Sequence, residues 1–234
     1  MYHEIVSPPM TKYSVSPFMF ETQMRGLLKA GVVSYILDDP SNVLSSCNYC
    51  LLTFDDGHIS NLHAARVMAG LGFVGYFYLL KDNSLERGDY LNEGDIKELA
   101  RLGHRFGVHG KNHGWWTKKT SELLVSELRE TKDWIEQLTG QSVVTCSAPG
   151  GKIDKRTIDA IRNGIPDLKY IRTSQYGVND ESDTLLKSIG VLGKYSENTI
   201  LGIASNNHWT MSRVMTYYYV KEAIKPIYHW LKRK

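Results

Sequence analysis

Short apolar runs alternate along the chain with segments whose apolar residues recur at helical spacing. Residues 49–54, Tyr-Cys-Leu-Leu-Thr-Phe, read as a strand that ends at Asp55-Asp56-Gly57. A helix over 61–71 follows, with Ser60 as its candidate N-cap and Gly72 just past its end. The strongest apolar run, 71–80, carries a second strand over 73–80. Asn92, or the acidic Glu93-Gly94-Asp95, opens a helix that runs to Leu102 and closes at Gly103. Residues 105–108 form a short strand ending at His109. A long helix covers 121–139, with Leu124, Leu128, Ile135 and Leu138 near helical spacing and Gly140 as its stop. Residues 143–146 are a strand ending at Ser147-Ala148-Pro149-Gly150-Gly151, and a helix over 155–163 leads to a strand over 169–173. This βαβα rhythm predicts an α/β fold: a parallel sheet with helices packed outside it. Its informative polar residues fall just after strand ends, the rim where parallel α/β folds, barrels especially, build their sites.

Composition narrows the class. The 234 residues are 42% hydrophobic and show no internal repeat, low-complexity stretch or linker, which suits a single globular domain. A net charge of +3, with Lys232-Arg233-Lys234 as the only dense basic cluster, argues against nucleic acid as a partner. No apolar run approaches the roughly 18–20 residues of a membrane span. Residues 1–5 lack the basic-then-apolar pattern of a secretory signal, so the sequence reads as cytoplasmic. Of the 3 cysteines, Cys47 and Cys50 make a C-x-x-C with no second pair, read as structural rather than as half a zinc site or a redox couple.

Three short motifs carry the candidate chemistry. Asp55 and Asp56 are adjacent carboxylates at the end of an apolar strand, where unpaired burial would set desolvation against repulsion. A nearby cation resolves this, one carboxylate ligating it and the other staying free as a base; a capped strand-to-helix turn is the plainer alternative. His109-x-x-x-His113 offers two imidazoles that i, i+4 spacing would put on one side of a helical turn, with Gly107 and Gly110 loosening the backbone. Two histidines and a carboxylate make a three-ligand metal site with open positions. Pro149-Gly150-Gly151 fixes a turn able to present a backbone N–H to a developing oxyanion.

In this order and spacing, the three motifs resemble the polysaccharide deacetylases, the chitin and peptidoglycan deacetylase homology group (carbohydrate esterase family four). The likeness covers roughly residues 1–178 and includes Tyr2-His3, Leu71-Gly72-Phe73 and Thr139-Gly140. It implies a distorted (β/α) barrel with fewer than eight strands, and metal-dependent removal of an acetyl group from an N-acetylated sugar. By position, the resemblance makes Asp55 the general base, Asp56, His109 and His113 the metal ligands, and Gly150 the oxyanion N–H. It implies a divalent ion, Zn²⁺ foremost. Many members carry an Arg two residues before the motif's proline, a place held here by Ser147. The family's late histidine, the general acid, has no strand-end match. His208, in Asn206-Asn207-His208-Trp209, is the candidate by order, and His3, at the end of a first strand, is the other histidine expected at the rim.

Trp115 and Trp116 follow His113 directly, and either could stack on a sugar face or pack in the core. Residues 212–234 read as a basic amphipathic helix with Tyr217, Tyr218, Tyr219, Ile224, Ile227 and Trp230, kinked or restarted at Pro226. Such a helix either closes the barrel or lies on a membrane surface, at the inner face. The sequence therefore reads as one catalytic domain over 1–234 acting on an N-acetylhexosamine glycan in surface polysaccharide or glycoconjugate biosynthesis. A glycan-binding barrel without activity and an O-deacetylase are the other readings.

Overall fold

The computed structural model describes residues 1–37, 39 and 48–231, with side chains up to 224. Cys47, and with it the C-x-x-C motif, lies outside the described residues, as does Lys232-Arg233-Lys234. The elements in chain order are α1 (Pro17–Lys29), β1 (Val32–Ser34), β2 (Asn48–Cys50), β3 (Leu52–Phe54), α2 (Asn61–Gly70), β4 (Gly75–Leu80), α3 (Lys81–Glu86) and α4 (Glu93–Arg101). They continue with β5 (Arg105–Gly110), α5 (Ser121–Thr139), β6 (Thr145–Ser147), α6 (Lys155–Gly164), β7 (Tyr170–Arg172), β8 (Leu185–Leu186), α7 (Glu197–Ala204) and α8 (His208–Leu231).

The main sheet has six strands in the order β3-β4-β5-β6-β7-β8, each parallel to its neighbours, so chain order and spatial order coincide. With helices on its outside, it is a distorted (β/α) barrel with fewer than eight strands. β4 is buried along its whole length, as expected of a parallel strand covered on both faces. The first residues of the chain fill the gap between β3 and β8. Tyr2 bridges Phe54 in parallel, its N–H donating to the Thr53 carbonyl at 2.7 Å while Asp55 N–H donates to the Tyr2 carbonyl at 3.0 Å. On the other side Val191 N–H donates to the Met1 carbonyl at 2.8 Å. The Tyr2 ring stacks on Phe54, which stacks on Phe77, and the seam is thereby anchored in the core.

Helix ends follow their local chemistry. Asn92 and Asp95 form a reciprocal capping box at α4, and Gly140 ends α5 in the left-handed conformation. Four details differ from the sequence reading. The strand expected over 49–54 is two: β2 pairs with β1 in a small separate sheet, and only β3 joins the barrel. Ser60 precedes α2 without capping it, because its hydroxyl is engaged by the Ile5 N–H at 2.9 Å and by His58. β5 runs through His109 to Gly110. α8 begins at His208 and stays helical past Pro226 to Leu231, with neither a restart nor a break there.

Candidate metal centre and catalytic cavity

The C-terminal ends of β3, β5 and β6, with the turns that follow, converge on a cavity of about 230 Å³. Asp55, Asp56, His109, His113, Gly150 and His3 all line it. Asp56 follows β3 at φ 71°, and His113 lies beyond β5 at φ 61°. Both are non-glycine residues in the left-handed region, where the backbone is strained. The His-x-x-x-His pair does not sit on a helical turn. His109 belongs to β5 and His113 to the bend after it; the bend brings the rings together, with centroids 5.4 Å apart. Gly107 does not loosen this strand: a Cβ there would overlap the Tyr78 ring, so glycine permits close packing.

Ligating atoms of Asp56, His109 and His113 lie within 4.8 Å of one another. Asp56 Oδ1 stands 3.1 Å from His109 Nε2 and 3.2 Å from His113 Nε2, yet this buried oxygen has no hydrogen bond of acceptable geometry. His109 Nδ1 is 2.8 Å from the Ser147 carbonyl and donates its proton there, leaving a lone pair on Nε2 in the neutral ring. A lone pair opposed to a carboxylate oxygen calls for a cation between them, so this donor set fits a divalent ion. Burial opposes the charge on Asp56, but His109 and His113, when protonated, outweigh it and hold the carboxyl well below the usual carboxylate range. The facing Asp56 carboxylate, 3.2 Å away, raises the His113 imidazole above its ordinary value.

Asp55 is buried and paired with a residue the sequence reading missed. Arg172, at the end of β7, is 1% exposed and donates to Asp55 Oδ1 and to the Ser147 hydroxyl. It also donates to the Ser188 hydroxyl at 2.9 Å, and its guanidinium lies 4.7 Å from the centre of the Tyr78 ring. Burial works against both charges, but each stabilises the other: the Asp55 carboxyl is lowered and the Arg172 guanidinium raised. Ser147 is the register partner of Arg172 across β6 and β7. The signal available in sequence was an Arg ending an apolar strand, Tyr170-Ile171-Arg172, where a core position calls for an apolar residue.

Gly150 adopts φ 60° in the turn after β6. The bonds that fold this turn, Gly151 N–H to the Ala148 carbonyl at 2.9 Å and Lys152 N–H to the Pro149 carbonyl at 3.3 Å, leave the Gly150 N–H out. Trp115 is 45% exposed beside this turn, its Nε1 3.8 Å from where a Gly150 Cβ would lie, with Lys118 Nζ 4.6 Å from its ring centre. Trp116 is buried in the core. His3 stacks on Tyr13 at 4.9 Å, and its buried Nδ1 has no hydrogen-bond partner. Burial lowers the His3 imidazole despite the carboxylates nearby. The structure does not bring His208 to this cavity. It is exposed at the start of α8, the helix whose later residues Tyr218, Lys221 and Glu222 wall the cavity. None of the described helices is long and apolar enough to cross a membrane.

A family model described as polysaccharide deacetylase matches residues 44–164. The Bacillus subtilis (strain 168) protein YxkH, named after polysaccharide deacetylases, is 26% identical over 166 residues, which are 68% of this chain and 58% of that protein. Among solved structures, the Streptococcus pyogenes deacetylase PplD, in complex with acetate, superposes with a TM-score of 0.77 at 19% identity over 86% of this chain and 94% of that one. The polysaccharide deacetylase BC0361 from Bacillus cereus gives 0.75 at 22% identity over 87% and 67%. IcaB from Ammonifex degensii gives 0.72 at 19% identity over 90% and 94%.

Proposed function

Since the chain belongs to the polysaccharide deacetylase family, we propose that residues 1–234 form one catalytic domain that hydrolyses the N-acetyl group of an N-acetylated sugar, releasing acetate and a free amine. The observation that carries this reading is the convergence of Asp56, His109 and His113 beside a second, ionised carboxylate, Asp55. A divalent ion held by those three ligands, Zn²⁺ by its tetrahedral habit and taste for imidazole, would supply Lewis acidity to the amide carbonyl and acidify a water.

This chain's own groups do the rest. Asp55 accepts the proton of the attacking water. Arg172 keeps it ionised but weakens it as a base, which matches it to an acidified water rather than an ordinary one. The Gly150 N–H donates to the carbonyl oxygen as it becomes an oxyanion. Of the three histidines that line the cavity, His3 is the one outside the proposed ligand set, and we assign it the proton transfer to the leaving nitrogen. Burial keeps its imidazole neutral at rest and makes the imidazolium a stronger acid when it forms. Trp115 supplies an apolar face at the rim for a sugar ring.

N-acetylglucosamine oligomers and their O-acetylated counterparts are the substrates to compare, with acetate as the readout. Release from the amide, abolished by a chelator and by Asp55→Asn, is the expected result. A protein that binds the metal but frees no acetate from any N-acetylated sugar overturns the reading. Faster release from the ester would make it an O-deacetylase.

A further inference from the structure

α8 has two working faces. Met211, Val214, Met215 and Tyr218 turn inward and pack on the barrel. On the opposite side Trp209, Val220 and Ile224 recur at helical spacing and stand 82%, 51% and 53% exposed. With Arg213 and Tyr217 they line one shallow groove along the helix. Isolated exposed apolar residues need no explanation, but an apolar stripe on one helix face does.

The charge around the stripe comes from three separate segments. Lys12, from the loop before α1, and Lys194, from the loop before α7, share a second cavity with Tyr217. Lys194 Nζ lies 4.9 Å from the centre of the Tyr217 ring, and Lys12 Nζ lies 5.1 Å from that of Tyr13. Lys221 Nζ reaches the Tyr13 hydroxyl at 3.4 Å, and Arg213 sits one helical turn before Tyr217. Four cations thus gather around Tyr13 and Tyr217 beside the stripe. Of the acidic groups nearby, Glu222 stands 3.9 Å from Lys221 Nζ and lines the catalytic cavity, and Glu4 accepts from the hydroxyls of Thr11 and Ser14, so the patch rests on Lys12, Lys194 and Arg213.

We propose that this surface, the outer face of α8 with Lys12, Lys194 and Arg213, docks on an anionic lipid bilayer. Exposed Trp and Tyr beside a cationic patch match the chemistry of the interface, where the rings sit among headgroups and the cations meet lipid phosphates. A second copy of this chain would instead bring like charges together across a two-fold axis. The same helix walls the catalytic cavity from its other side, so docking holds that cavity close to the membrane. The favoured substrate is then a glycan carried at a membrane surface, a corollary that rests on the deacetylase reading.

The test is sedimentation of the full chain with vesicles of pure phosphatidylcholine and of phosphatidylcholine and phosphatidylglycerol in equal parts. The protein should partition onto the mixed vesicles only, and less so as salt is raised. The variant Lys12→Ala/Lys194→Ala/Arg213→Ala should lower partitioning about a hundredfold, since each cation near an anionic surface contributes roughly fivefold. Val220→Asp/Ile224→Asp should abolish it. Acetate release from a soluble oligomer and the thermal transition serve as controls for both variants and should not change. Failure to bind mixed vesicles overturns the proposal, as does binding that ignores phosphatidylglycerol or survives the triple substitution. Self-association that the Val220→Asp/Ile224→Asp variant removes, with vesicles left alone, assigns the face to a second copy instead. The vesicle readout and the thermal transition stand whether or not the catalytic reading holds.

Discussion

Asp55, the proposed general base, is paired with Arg172 in the interior, and each is costly to bury alone. Arg172→Met should therefore cost about 3–5 kcal/mol in urea unfolding, the penalty for a buried charge stripped of its partner. Asp55→Asn/Arg172→Met should recover much of that, because it removes both charges. His3 yields a signed expectation in pH. Its folded value is depressed below the ordinary 6.5. The unfolded chain thus takes up a proton first, and His3 contributes stability that is fully present above pH 6.5 and lost as pH falls toward the folded value. Melts of metal-loaded protein across this window should slope less in His3→Gln than in wild type. At this scale the sequence pointed to the residues that gather at the cavity and passed over Arg172. Asp55, Asp56, His109 and His113 sit in short motifs whose chemistry is local. Arg172 acquires its meaning only through register with Ser147, which no spacing along the chain encodes. His208 misled for the converse reason: order along the chain suggested it, but α8 begins with it pointing to solvent.

Among the elements, the turn after β6 separates two neighbouring glycines by what surrounds them. Both have positive φ, so alanine at either costs roughly 1–2 kcal/mol in backbone strain. At Gly150 a Cβ meets only Trp115 Nε1 at 3.8 Å, whereas at Gly151 it would overlap the Ser174 side chain. Gly151→Ala should thus be the more destabilising in thermal melts. It should also lower acetate release more than Gly150→Ala, by shifting the turn that carries the Gly150 N–H. Strands and helices were legible wherever apolar periodicity and end signals agreed, as at α4 with its capping box and α5 with Gly140. The split of 49–54 into β2 and β3 was not legible, because an unbroken apolar run is silent about which sheet each half joins. The His-x-x-x-His pair was assigned to a helical turn because i, i+4 spacing is helical by default; a positive φ at His113 achieves the same convergence from a bend.

At the scale of the whole molecule, the three candidate metal ligands come from beyond β3 and from β5 and its following bend, with β4 between those strands. An ion there ties two non-adjacent strands together at the barrel rim. It should raise stability by about 2.7 kcal/mol at a concentration about a hundredfold above Kd, and a chelator should lower the Tm accordingly. The barrel's closure is of another kind. β3 and β8 do not pair with each other, and the gap is stitched by the hydrogen bonds of residues 1–2. The histidine assigned to the leaving group rides on that stitch, one residue beyond Tyr2. Opening the seam therefore pulls an aromatic ring out of the core and a proton donor out of the cavity in a single event. Such a molecule should lose its chemistry before it loses its shape, with activity fading in mild denaturant while the six-stranded sheet still holds.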